Sequence, residues 1–221
     1  MRTGGGREAV GVKEKVRLPL PEATMTTNTG QVKVPAHALE KAEAPGHMLT
    51  TAAARALAVL RISTGIVFLW AFLDKTFGFG FATPDERAWI NGGSPTKGFL
   101  SRVEVGPFQS ISHDMAGLWW VDALFMIGMG AVGLALIAGV GLRVAAAAGS
   151  LIMVMMWAAE FPPDRFTAAG EASGSTNPFM DYHLIYAIVL VVLALTYAGH
   201  TWGLGRLWAR LPFVQKNRWM I

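Results

Sequence analysis

Four apolar stretches, each bounded by polar or turn-forming residues, organise the chain: residues 52–73, 118–140, 142–161 and 181–199. A helix rises about 1.5 Å per residue, so roughly 20 residues cross a hydrocarbon core of about 30 Å. Each stretch therefore predicts a membrane-spanning helix. Only one or two residues separate the second from the third, which predicts an antiparallel helical hairpin. The expected fold is all-α, an integral membrane four-helix bundle covering residues 51–200. Residues 1–50 mix Gly, Thr, Pro and charges without an apolar period and predict a disordered cytoplasmic tail. No apolar h-region of a secretory signal occurs before Ala52.

The loops carry their own signals. Thr83-Pro84-Asp85-Glu86 has the form of a capping box with proline at the first helical position, and Asn91-Gly92-Gly93 supplies a stop. Ser94-Pro95 starts a second short helix that Gly106-Pro107 would end. Asn177-Pro178 marks the start of the fourth span and puts Asp181 in its first turn, where the helix dipole favours an acid. Ala131, Ala135 and Gly139 form a small-residue ridge on the second span, as Ala145 and Gly149 do on the third.

Charge fixes the orientation. Lys33, Lys41 and Arg55 precede the first span, Arg143 lies at the tight turn, and Arg206, Arg210, Lys216 and Arg218 follow the fourth. In the other two loops basic and acidic residues balance. Cytoplasmic loops carry the excess of Lys and Arg, so both termini are expected in the cytoplasm of a multi-pass cell-membrane protein, with two structured outer loops. Residues 201–221 place Trp202, Trp208 and Trp219 among basic residues, the composition of an interfacial anchor.

Composition narrows the chemistry. The chain is 52% hydrophobic and 15% charged, and 12 of its 34 charged side chains fall in the first 50 residues. The basic residues sit at the tails, which leaves no basic soluble fold to bind nucleic acid. Without cysteine, the chain holds no thiol, iron–sulfur or Cys-zinc chemistry, and any redox centre must come from a cofactor or partner. Met153, Met155 and Met156 fill gaps in a packed helix, and no metal site is expected. Haem in a four-helix bundle takes histidines at paired depths. His183 and His200 lie at opposite ends of the fourth span, so haem is not expected.

The polar residues within the spans are the candidates for function. Arg61 lies about 13 Å into the first span and Asp122 about 6 Å into the second from the other side, leaving an axial gap of about 10 Å. An intramembrane arginine is costly unless it snorkels, meets an acid or lines water, and Asp122 is its expected partner. Arg61, Gly65, Phe68 and Phe72 share one stripe, expected to face the bundle. Lys75, Glu160, Asp181, Tyr182, His183 and Tyr186 gather on the outer side. Asp74, Lys75, Glu160 and Asp181 also read as solvated helix ends, and an Arg61–Asp122 pair also reads as a structural latch.

The segments LRISTGIVFLWAFLDK, NGGSPTKGFL and NPFMDYHLIYAIVLVVLALTYAGHTWGLGRLW together resemble the DoxX/DoxD family of small four-helix membrane proteins, over roughly residues 52–210. The second segment is closer to the DoxD branch, the membrane subunit associated with thiosulfate:quinone oxidoreductase. The resemblance implies a subunit passing electrons from a sulfur compound to a membrane quinone, beside a small companion subunit. On that reading Arg61, Asp122, Glu160, Asp181 and His183 are the catalytic set, and Arg61, Lys75, Tyr182 and Tyr186 hold the quinone headgroup. The alternative is a non-catalytic scaffold that recruits soluble redox or stress enzymes. A transporter is disfavoured because the inner halves of the second and fourth spans lack polar groups. A bundle of this size is also a candidate homo-oligomer.

Overall fold

The computed structural model describes residues 49–104, 106–161, 166, 169–173, 177 and 179–221. The tail expected over residues 1–50 lies almost wholly outside them. Helix α1 spans Thr51–Phe77, capped by the Thr50 hydroxyl on the Ala53 amide and closed by Gly78 in the left-handed conformation. Two 3-10 turns follow at Asp85–Arg87 and Trp89–Asn91, then the short helices α2 (Lys97–Leu100) and α3 (Gln109–Met115). Helix α4 is Trp119–Ala138, α5 is Leu142–Glu160 and α6 is Tyr182–Leu195. A 3-10 turn at Ala198–His200, α7 (Gly205–Trp208), α8 (Pro212–Lys216) and a last 3-10 turn complete the order. The described residues contain no strand beyond one isolated bridge, Phe166 to Ala172.

Close contacts give the register. Glycines at positions 65, 130 and 133 permit close approach: a Cβ would fall 2.8 Å from Ile137 Cγ1, 3.1 Å from the Phe72 ring and 2.7 Å from the Leu69 amide nitrogen, respectively. α1 therefore runs antiparallel to α4. A Cβ on Gly128 would meet Ile152, and one on Gly149 would meet both Val132 and Leu190. The Ser150 hydroxyl donates to the Ala187 carbonyl at 3.1 Å. Helices α4, α5 and α6 thus alternate in direction, as the hairpin turn at residues 139–141 requires. The small residues that matter on α4 are Gly130 and Gly133. Ala131, in the expected ridge, is exposed.

Phe68, Val132, Leu136, Met153, Leu190 and Leu193 form the inner core. Large apolar residues cover the outside as well, including Ile66, Leu124, Ile127, Leu134, Leu151 and Ile188. Only 28–39% of each spanning window in α1, α4 and α5 is buried inside the protein. A helix apolar on every side belongs in lipid or in a much larger core. These three helices are long and apolar enough to cross a bilayer.

The fourth stretch departs from expectation. α6 has 14 residues, about 21 Å at 1.5 Å per residue, short of a full crossing. It starts at Tyr182 because Asp181 is itself the N-cap, accepting from the Leu184 amide at 3.1 Å. Asn177 does not start the helix; its side chain accepts from the amides of Phe179 and Met180 in a separate turn. At the other end Tyr197 takes a left-handed backbone, φ 50°, which breaks the helix before His200.

The loop expectations also shift. No capping box forms at Thr83, whose amide is drawn to Asp74 instead. Ser94 accepts from the Lys97 amide at 3.2 Å just ahead of the second short helix, but that helix has Thr96 as its N-cap, without a side-chain cap, and ends at Leu100. α3 follows as an element without a sequence forecast.

Candidate functional site

Arg61 is fully buried and does not meet Asp122. Its Nη1 donates to the carbonyls of Leu136 and Ile137 in the last turn of α4. Its Nη2 donates to Thr201, at 3.4 Å, and to Trp202, at 2.8 Å. Asp122 lies in the first turn of α4, about 21 Å along the axis by helical rise. The guanidinium thus caps the negative end of the α4 dipole and ties it to the segment that follows α6. The expected stripe is right: Arg61, Gly65 and Phe68 are all buried toward the bundle. The expected partner is wrong, because backbone carbonyls take up both terminal nitrogens; only the buried Nε lacks a partner among the described residues.

Glycine lets that segment approach. A Cβ on Gly199 would stand 2.2 Å from the Gly139 carbonyl oxygen, and one on Gly203 would stand 3.1 Å from Arg61 Nη2. Trp202 adopts φ 51°, which aligns its carbonyl with the guanidinium at a cost of order 1 kcal/mol. Burial first, and the Arg206 cation second, push the His200 imidazole below its ordinary range, so this end gains no further cation.

The carboxylates at the opposite end divide into two kinds. Asp74 is 2% exposed, so it is not a solvated helix end. Its carboxylate accepts from the amides of Phe81, Ala82 and Thr83. Asp122 is 5% exposed, and its Oδ1 accepts from Ser94 Oγ, the Thr96 amide and Thr96 Oγ1 at 2.6–3.0 Å. Both are consumed in fastening the 78–118 loop onto the helices.

Glu160, Asp181 and His183 are different. They offer ligand atoms that all lie within 4.8 Å of one another. α5 ends at Glu160 and α6 starts just after Asp181, so antiparallel packing brings the two ends together. His183 is 1% exposed, and its Nδ1 lies 2.5 Å from Asp181 Oδ2. Its Nε2 is buried and has no hydrogen-bond partner among the described residues. Glu160 is exposed, which opens the group to the surroundings. The Tyr182 ring stacks 4.0 Å from the imidazole, and Tyr186 bridges Tyr182 and the core residue Phe68. The Trp157 indole donates to the Phe179 carbonyl and fastens the chain ahead of Asp181 to α5.

Of the residues singled out from sequence, the structure brings together Glu160, Asp181, Tyr182, His183 and Tyr186. Arg61 lies at the far end of the bundle. Asp122 is engaged with the loop, and Lys75, half-buried in the last turn of α1, forms no ion pair with the group among the described residues. That Ser94 and Thr96 hydrogen-bond Asp122 has no local sequence signal, because the contact is long-range. The chain matches no protein-family model, no curated protein and no solved structure.

Proposed function

We propose that this chain is a four-span membrane protein with both termini cytoplasmic, and the membrane subunit of a DoxX/DoxD-type quinone-linked oxidoreductase. The sulfur compound is oxidised with a companion subunit, because this chain has no cysteine and encodes no redox centre. The single observation that carries the reading is the buried His183, with one ring nitrogen on Asp181 and the other without a partner.

Reducing a quinone to a quinol takes two electrons and two protons. The protein's part is to hold a carbonyl oxygen of the headgroup and deliver protons to it. A histidine oriented by a carboxylate is suited to that task, because one ring nitrogen is held in place while the other can donate or accept a proton. Glu160 is exposed and can take protons from the water side. Tyr182 offers a flat aromatic face beside the imidazole. Charge asymmetry supports the orientation, since the His183 end then faces outward. The 14-residue α6 crosses with its flanking turns and a locally thinned bilayer.

The test is reconstitution of the purified protein with a soluble quinone and thiosulfate, wild type against His183→Gln. Quinone reduction that depends on His183 supports the reading. No reduction from any sulfur donor, and no quinone extracted with the protein, would sink it. The scaffold alternative draws on one observation: Arg61, the deepest charge, has both terminal nitrogens engaged by backbone carbonyls and serves architecture.

A further inference from the structure

We infer that Glu160, Asp181 and His183 form a binding site for a divalent cation of the zinc class. The quinone reading does not require this, and the inference does not rest on it.

The donor set is one imidazole and two carboxylates, ligand types that Zn²⁺ accepts in sites completed by water. The three ligand atoms already lie within 4.8 Å of one another. A tetrahedral ion with bonds of about 2.1 Å sets its ligands about 3.4 Å apart, so Glu160 has to draw in while the 2.5 Å contact between His183 Nδ1 and Asp181 Oδ2 opens or the ion takes Nε2 instead. Glu160 is the residue free to move, being exposed and the last residue of α5. The backbone has already fixed the others. Asp181 uses Oδ1 to cap α6 through the Leu184 amide, which turns Oδ2 onto His183.

A second, separate observation points to a ligand. His183 is 1% exposed, and its Nε2 is buried without a partner among the described residues. A buried polar atom left unpaired costs about 1–3 kcal/mol, a deficit that a bound ligand can relieve. Coordination through Nδ1 places the ion between His183 and Asp181. Coordination through Nε2 keeps Asp181 as the carboxylate that orients the ring, a common arrangement for metal-binding histidines.

The experiment uses the full chain, purified in detergent and freed of metal with a chelator that is then removed. ZnCl₂ is titrated calorimetrically, and CoCl₂ is followed by its visible d–d bands. One equivalent is expected to bind. Glu160→Gln, Asp181→Asn and His183→Gln should each weaken Zn²⁺ by about tenfold or more and abolish the cobalt bands. Glu86→Gln, exposed on a 3-10 turn, should bind as wild type does. Asn caps a helix as well as Asp, and Glu160 is exposed, so two of these variants remain informative if His183→Gln fails to fold. Wild-type binding that is unchanged by Glu160→Gln and Asp181→Asn, or no binding at all, would overturn the inference. No quinone is present in this titration, so its outcome and that of the quinone assay are independent.

Discussion

The two ends of the helix bundle each bury a basic side chain, and they treat it in opposite ways. Arg61 finds four backbone carbonyls, from two segments far apart in sequence, that satisfy both terminal nitrogens. His183 finds one carboxylate and keeps a ring nitrogen unmatched, with an exposed acid alongside. The first arrangement ties both terminal nitrogens into backbone contacts and leaves only the buried Nε without a partner among the described residues. The second has spare donor and acceptor capacity close to the surface. An intramembrane charge is a fair first guess at a functional site, but satisfaction of its hydrogen-bonding groups separates the clasp from the site.

The largest expected effect tests the clasp. Arg61→Ala would leave carbonyls at the end of α4 and at Thr201 and Trp202 without donors, and should cost about 3–5 kcal/mol, the range for breaking a buried charged network. Unfolding of the detergent-solubilised protein reads this directly. Arg61→Lys should recover only part, because one ammonium cannot span both pairs of carbonyls as the guanidinium fork does. A small loss in Arg61→Ala would remove the contrast between the two ends.

His183→Gln should behave in the reverse sense. Quinone reduction should fall about 100-fold, the lower range for losing a general acid–base group, while the unfolding midpoint moves little. A comparable fall in stability would make His183 a second structural clasp. Gly133→Ala comes next, since its Cβ would lie 2.7 Å from the Leu69 amide nitrogen. Forcing α1 from α4 should cost about 1–3 kcal/mol, the usual cost of overpacking. The smallest effect separates the two uses of Asp181. Asp181→Ala should lose about 1 kcal/mol of helix stability that Asp181→Asn retains. If both variants lose it equally, the carboxylate charge rather than the cap holds the start of α6.

The three long helices were legible in the sequence because twenty apolar residues admit few structures. α1, α4 and α5 lie close to the expected spans. The ends of α6 were less legible, since the stop is set by a left-handed backbone at Tyr197, a residue that does not announce it. Thr83 was misread because a local capping pattern lost to a long-range acceptor, Asp74. Arg61 was misread for a related reason. Depth along a helix predicts a partner at the same depth, yet the return of residues 199–205 across the end of α4 supplies backbone oxygens there. A sequence signal for that return exists in Gly199, which lies against Gly139, and Gly203, which lies against the Ala138 carbonyl, and it is one of close approach rather than of charge. At the other end, Glu160, Asp181 and His183 were placed together by topology, while their ligand-like spacing needed coordinates.

The clasp also has a consequence for the order of synthesis. Trp202, which accepts from Arg61, lies 141 residues further along the chain. At 5–20 residues per second, roughly 7–28 s separate the emergence of the two. Through that interval α1 holds a guanidinium whose final acceptors have not been made. The first long helix must wait with its charge near water or in temporary company, and its settled position comes only when the last segment folds back over α4.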